Sequence, residues 1–381
     1  TFCAVLVSPH LRHWDVAGDI ARAGLHSDSS VKEIEDTAQE LWAHHPSSFV
    51  LALDMGRRFA AAGAPNSAFM WFNRAMLLAP YHPDPHLMTA RMLRGIGASG
   101  QALIEYQLAL RSASAASVPE LLGEVMRAYP ETGQVIRALP KERPALFSQL
   151  AELAIWAADP RANQFAALAY ENYPDEPRAG YVRARTLVTS GKINEGRELA
   201  MTMLSEIDLS DGIERRLLHV LWHAGEQELS ADRLQALLNR FGRPLPDGHL
   251  TLARWRHALG QIELARVSLR QARRGNSATA ASALLLAAQI EVEAGEATLG
   301  LSLIRQAQTL QPGLTDVWLA ETKLLIKLNQ ISEAREVIQR APPAVLKTPA
   351  GAALLQQLVG DTDQAAPPAL ETSAPQQEQE Q

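Results

Sequence analysis

The 381-residue sequence predicts an all-α protein, a solenoid of stacked helical hairpins, on three observations. Small and apolar residues recur with a period of 34–35 residues, the composition favours helix, and no segment strings together the alternating β-branched residues of a sheet. The chain exceeds what one compact core usually reaches, so it is either several domains or one extended array. It is rich in alanine, leucine, arginine, glutamate and glutamine, and aromatic residues make up only 6%, which favours the array.

The clearest unit runs from Ser48 to Pro80, with Ala52, Met55-Gly56, Phe59, Gly63, Ala68, Phe72, Ala75 and Pro80. Gly56 and Ala68 are small where two helices cross, so the backbones approach closely, while Phe59 and Phe72 fill the space beside that crossing. Gly63 serves the turn, and Pro80 stops the second helix. Thirty-four residues on, Ala90, Leu93, Gly97, Ala102, Tyr106 and Ala109 repeat the frame. These residues resemble the tetratricopeptide repeat, whose tryptophan, leucine-glycine, tyrosine, alanine, phenylalanine and proline stand at the same spacings, with Ala52 in the tryptophan position. The resemblance implies a right-handed superhelix in which the first helix of each pair faces a concave groove.

The frame continues in weaker copies. Leu150, Leu153, Ala162, Ala169 and Pro174 form one unit, and Ala184, Leu187, Gly191 and Gly196 the next. Leu218, Leu221, Gly225 and Leu234 follow, then Ala253, Gly260, Ala265, Leu269 and Ala272, then Ala288, Gly295, Gly300, Ile304, Ala307 and Pro312. The last unit holds Trp318, Leu325, Ala334, Ile338 and Ala341; upstream, Ile34, Ala38, Leu41 and Pro46 supply a second helix and Trp14 to Ala23 a weak first one. Between Ser117 and Glu142 the rhythm slips, where Pro119 to Tyr129 reads as a helix and Pro130, Pro140 and Pro144 punctuate a short second one. The expected organisation is therefore an N-terminal subarray over 11–116, a degenerate helix pair over 117–142, a C-terminal subarray over 143–345 and a cap helix over 346–360. Residues 361–381 carry too little apolar surface to offset ordering entropy and should be a disordered tail.

A net charge of -6 argues against a general nucleic-acid binder, which needs excess basic charge to displace counterions. The single cysteine, Cys3, excludes an internal disulfide and a cysteine-ligated zinc site. Phe2 to Val7 is apolar but shorter than a spanning helix, so residues 1–10 read either as the end of a membrane or signal segment or as a frayed first helix.

Candidate chemistry is sparse. Gly95-Ile96-Gly97-Ala98-Ser99-Gly100 matches the spacing of a dinucleotide fingerprint but lies between two helices with no preceding strand, so its glycines serve a turn. His219 and His223 stand four apart, yet no further ligand is forced beside them, and solvated or groove-lining histidines are the simpler reading. Pro83 and Pro85 place His82 and His86 in a connection. No nucleophile elbow or phosphate-cradling loop appears, and no catalytic residue, cofactor or metal is expected.

A stronger signal appears when the units are stacked. The residue after the crossing position is Arg57, Arg91, Ala151, Arg185, His219, Arg254, Gln289 and Lys323 in successive units. Five of these eight are Lys or Arg, in a chain with 36 basic residues among 381, and the resemblance turns this position towards the groove. A ligand groove of Arg57, Arg91, Arg185, His219, Arg254 and Lys323 would suit carboxylates, phosphates or anionic sugars. The plainer alternative is that these cations pair with acidic residues of neighbouring repeats.

A narrower resemblance rests on His45-Pro46, Ala60 to Gly63, Trp71 to Met76, Leu78 to Pro80, His86, Ala90-Arg91, Gln101-Ala102, Glu105-Tyr106 and Leu108-Ala109. These are similar to the soluble repeats that follow the last membrane span in some bacterial O-antigen ligase or polymerase family proteins. The expected function is thus a non-catalytic scaffold for a protein or peptide partner in a membrane-associated bacterial assembly. The alternative is an accessory module of a glycan-assembly protein that contacts an anionic glycan or lipid-linked substrate. Membrane association would then come through a part N-terminal to residue 1, with this domain in the periplasm or cytoplasm; the other expected location is cytoplasmic.

Overall fold

The computed structural model describes residues 15–26, 29–206, 209–241 and 245–360. Among them are 22 helices and no strand, so the protein is all-α. The chain divides into two compact units, the first ending at Val220 and the second beginning at Leu221. Phe2 to Val7 and the tail from Asp361 lie outside the described residues.

The first unit begins with α1 (Val16–Arg22), α2 (Val31–His44), α3 (Phe49–Ala61), α4 (Pro65–Leu78), α5 (Pro83–Gly95) and α6 (Ser99–Ser112). It continues with α7 (Val118–Ala128), the short α8 (Thr132–Arg137), α9 (Ala145–Trp156), α10 (Ala162–Asn172), α11 (Pro177–Thr189) and α12 (Ile193–Glu206). The boundary between the units falls inside α13 (Asp211–His223). The second unit adds α14 (Gln227–Arg240), α15 (Pro246–Ala258), α16 (Ile262–Ala272), α17 (Ser277–Glu293), α18 (Ala297–Leu310), α19 (Thr315–Lys327), α20 (Ile331–Arg340), the single turn α21 (Pro343–Leu346) and α22 (Pro349–Gly360).

Within each unit, consecutive helices pack as hairpins: α3 with α4, α5 with α6, α9 with α10 and α11 with α12 in the first, α15 with α16, α17 with α18 and α19 with α20 in the second. The seam follows the repeat. Ala52, Gly56 and Phe59 of α3 are buried against Ala68, Phe72 and Ala75 of α4. A Cβ added to Gly56 would sit 2.4 Å from the Phe72 ring, so the glycine is what lets that ring lie across α3.

Every hairpin turn uses one device. Gly63, Gly97, Gly191, Gly225, Gly260 and Gly295 have φ of 72–95°, the left-handed region that costs glycine nothing. The next residue's amide then returns to the carbonyl five positions earlier, at 2.8–2.9 Å for Ala64 to Phe59, Ala98 to Leu93 and Glu226 to Leu221, closing the helix end. Ala158 (φ 51°) and Asn329 (φ 60°) take the same place after α9 and α19, with Asp159 bonded to Ala154 and Gln330 to Leu325 at 2.9 Å. The turn is thus kept even where glycine is absent.

Helix starts follow equally local rules. Ser30 and Glu33 form a reciprocal cap at α2, Ser48 accepts from Leu51 N at α3, and Asn276 accepts from Thr279 N at α17. Prolines open α4, α5, α11 and α15. This corrects the expectation that Pro83 and Pro85 keep His86 out of a helix. Proline is tolerated in a first turn, where its missing N–H had no intrahelical partner, so α5 starts at Pro83, His82 is its N-cap, and His86 is a buried helical residue 2.7 Å from Glu105 Oε2.

Candidate functional site

The stacked cationic positions all lie on first helices of hairpins, but the structure treats them differently. In the first unit, Arg57 of α3 points at Asp84 of α5, with Nη2 3.2 Å from Oδ2. Arg91 of α5 grips Glu124 of α7 with both ends of its fork, at 2.9 Å from Nε and 2.6 Å from Nη2. Tyr106 donates to the same Glu124 at 2.8 Å. Burial pushes the Glu124 carboxyl up, yet the hydrogen bonds from Arg91 and Tyr106 outweigh it and hold the group below the usual glutamate range. Burial and the bond to Glu124 together push Tyr106 up, so it stays a phenol donor. Arg57 and Arg91 therefore tie each hairpin to the next.

Arg185 of α11 is different. It is half-buried, and its Nη1 donates to the Tyr181 hydroxyl at 3.1 Å; no carboxylate among the described residues pairs with it. His219 is exposed on α13.

In the second unit, Arg254 of α15 and Lys323 of α19 line one groove together, with α17 between them. Its volume is about 610 Å3. Leu285, Leu286 and Val292 of α17 and Ala320 and Leu324 of α19 supply apolar surface, while Arg254, Lys323 and Lys327 stand around it. Among the described residues none of these three cations has a carboxylate partner, and Arg254, Lys323 and Lys327 are all exposed. Two acids share the groove. Glu293 is occupied, because Gln289 Nε2 donates to it at 2.8 Å and His257 Nε2 lies 2.8 Å away, which together hold its carboxyl below the usual range. Asp316 opens α19 in its first turn, where a carboxylate favours the helix dipole.

Lys327 was not visible in the stacked repeats because it lies one turn after the register position. The signal that finds it is the i, i+4 step from Lys323, which puts both ammoniums on one face. The same step around Arg185 finds Tyr181 at i−4 and Arg178 at i−7.

Residues 291–358 match the tetratricopeptide repeat family model. That match spans the end of α17, the α18 to α20 helices and the α21–α22 cap, although the motif spacing is sharpest far upstream, between Ser48 and Leu110. No protein of curated function matches the sequence. Among solved structures, the chain is similar to one from the crystal structure of the APC/C hetero-tetramer Cut9-Hcn1, at 11% identity and a TM-score of 0.44. That alignment covers 90% of this chain and 62% of the other. The chain is also similar to the P58(IPK) TPR domain, at 11% identity and a TM-score of 0.26, covering 92% of this chain and 99% of that one. Among the described residues, no helix is long and apolar enough to cross a membrane.

Proposed function

We propose that the chain is a non-catalytic tetratricopeptide-type scaffold that captures a protein partner, and that the second-unit groove takes an acidic amphipathic helix or extended segment. One observation carries this reading: the groove combines an apolar floor with three cations, Arg254, Lys323 and Lys327, that have no carboxylate partner among the described residues. A partner that places apolar residues on Leu285, Leu286 and Ala320 and carboxylates beside the cations would satisfy both features. Arg57 and Arg91 keep a tying role and do not extend this surface.

The test uses the full chain and an acidic amphipathic helical peptide as probe. Reversing charge at Arg254, Lys323 and Lys327 together should weaken capture by roughly tenfold or more while the helical circular-dichroism signal stays intact. Equal capture by the triple variant would remove the groove from the proposal.

A finer reading makes the scaffold an accessory module of an O-antigen ligase or polymerase-type protein in a membrane-associated bacterial assembly. It is supported only by the residue resemblance between His45 and Ala109. Its test is fractionation of the full-length gene product together with titration of an anionic polysaccharide; a product confined to the soluble fraction that ignores the polysaccharide would end it.

A further inference from the structure

The first unit sets two arginines on a single buried carboxylate and links a third to them through a tyrosine. Glu152 of α9 is 8% exposed and is held on both oxygens, Oε2 by Nη2 of Arg178 from α11 and Oε1 by Nη1 of Arg216 from α13 at 2.5 Å. Arg216 also stacks over the Tyr181 ring, 5.5 Å from its centroid, and Arg185 donates to the hydroxyl of the same tyrosine. Arg178, Tyr181 and Arg185 stand at i, i+3 and i+7 on α11 and share one face.

One carboxylate needs one counter-charge to be neutralised, and here two guanidiniums meet it while a third, that of Arg185, joins them through Tyr181. Glu176 is the other acid near Arg178, but its carboxylate is turned to the α11 N-terminus, where it accepts from Ala179 N at 2.6 Å. Donors are in surplus as well. Each guanidinium carries five N–H groups, yet among the described residues the three make one side-chain hydrogen bond apiece, to Glu152, Glu152 and the Tyr181 hydroxyl. The Nε of Arg178 is buried with no partner among the described residues, an arrangement that costs free energy. The site is open to an incoming group, since the Arg216 side chain is 45% exposed and that of Arg178 31%.

We propose that Arg178, Arg185 and Arg216, with Tyr181 as the platform between them, form a carboxylate-binding site for an acidic segment of a protein partner. Arg178 and Arg216 already hold a carboxylate, one on each of its oxygens, which is the chemistry the remaining donors repeat. A singly charged carboxylate suits a surplus that stands beside Glu152; a phosphate dianion would bring its second charge against that acid. The proposal rests on the scaffold reading above, but on a different unit from the groove, so the two fail separately.

The experiment measures binding of a fluorescein-labelled peptide of alternating glutamate and glycine to the full chain by anisotropy, with amide hydrogen exchange to locate it. Protection over 177–189 and 211–223 is the expected footprint. Arg185→Gln, which leaves both Glu152 bonds in place and so should not disturb the fold, is expected to weaken binding roughly tenfold and to erase the footprint on α11. Arg185→Lys should recover part of the affinity, and Arg254→Gln with Lys323→Gln should leave this footprint unchanged. Unaltered α11 protection in Arg185→Gln would overturn the site, and a phosphoserine version of the peptide binding tenfold tighter than the glutamate version would overturn its assignment to carboxylates.

Discussion

Ala158 offers a quantitative test of the turn that joins every hairpin. It stands at φ 51°, in the place where Gly191, Gly225, Gly260 and Gly295 stand at 72–95°. An L-residue in that region costs about 1–2 kcal/mol, and glycine there recovers this less its own entropy loss of about 0.5–1 kcal/mol. Ala158→Gly should therefore stabilise the α9–α10 hairpin by about 0.5–1 kcal/mol, and Gly225→Ala should destabilise its own turn by a similar or larger amount. Among the described residues nothing lies within 4 Å of a Cβ built at Gly225, so no steric contact with them confounds the comparison. Asn329, at φ 60°, supplies an internal control: its side chain tolerates this region, and Asn329→Gly should change little. Because repeat arrays lose cooperativity, the measurement is local amide exchange around each turn, where the shift should appear as a roughly two- to fivefold change in protection. A destabilised Ala158→Gly, or a neutral Gly225→Ala, would refute the account of the turn.

Two further outcomes follow from the ion pairs. The Glu124 carboxyl titrates below its usual range in the folded chain, so its contribution is present above the ordinary glutamate pKa and lost as pH falls through the lowered folded value. Glu124→Gln should thus cost about 1 kcal/mol near neutrality, a figure discounted because Arg91 is partly solvated, and the gap between variant and parent should close in urea titrations at strongly acid pH. Glu321 is a second buried acid, its side chain 3% exposed, with Arg305 Nε 2.9 Å from Oε1 and, among the described residues, no partner for Oε2. Arg305→Met should cost about 2–3 kcal/mol by stranding that carboxylate, and Arg305→Met combined with Glu321→Met should recover most of the loss in a thermal-unfolding double-mutant cycle.

What was legible in the sequence was whatever depends on neighbours within one hairpin. Gly56, Phe59, Ala68 and Phe72 announce a helix crossing because their spacing alone puts them on facing sides of two short helices. The glycines from Gly63 to Gly295 announce turns because their backbone preference is local. Even the weak units obey this, since Ala158 adopts the strained conformation that the rest of its hairpin demands. The function of a cation was not legible in the same way. Arg57, Arg91, Arg185, Arg254 and Lys323 occupy one register, yet Arg57 and Arg91 are consumed by Asp84 and Glu124, 27 and 33 residues away, while Arg254 and Lys323 face an open groove. Arg216 meets Glu152 directly across 64 residues of sequence. Register determines which face of a helix a charge occupies; whether an opposite charge waits there depends on which side chains the next helices bring within 3–4 Å, and only packing decides that.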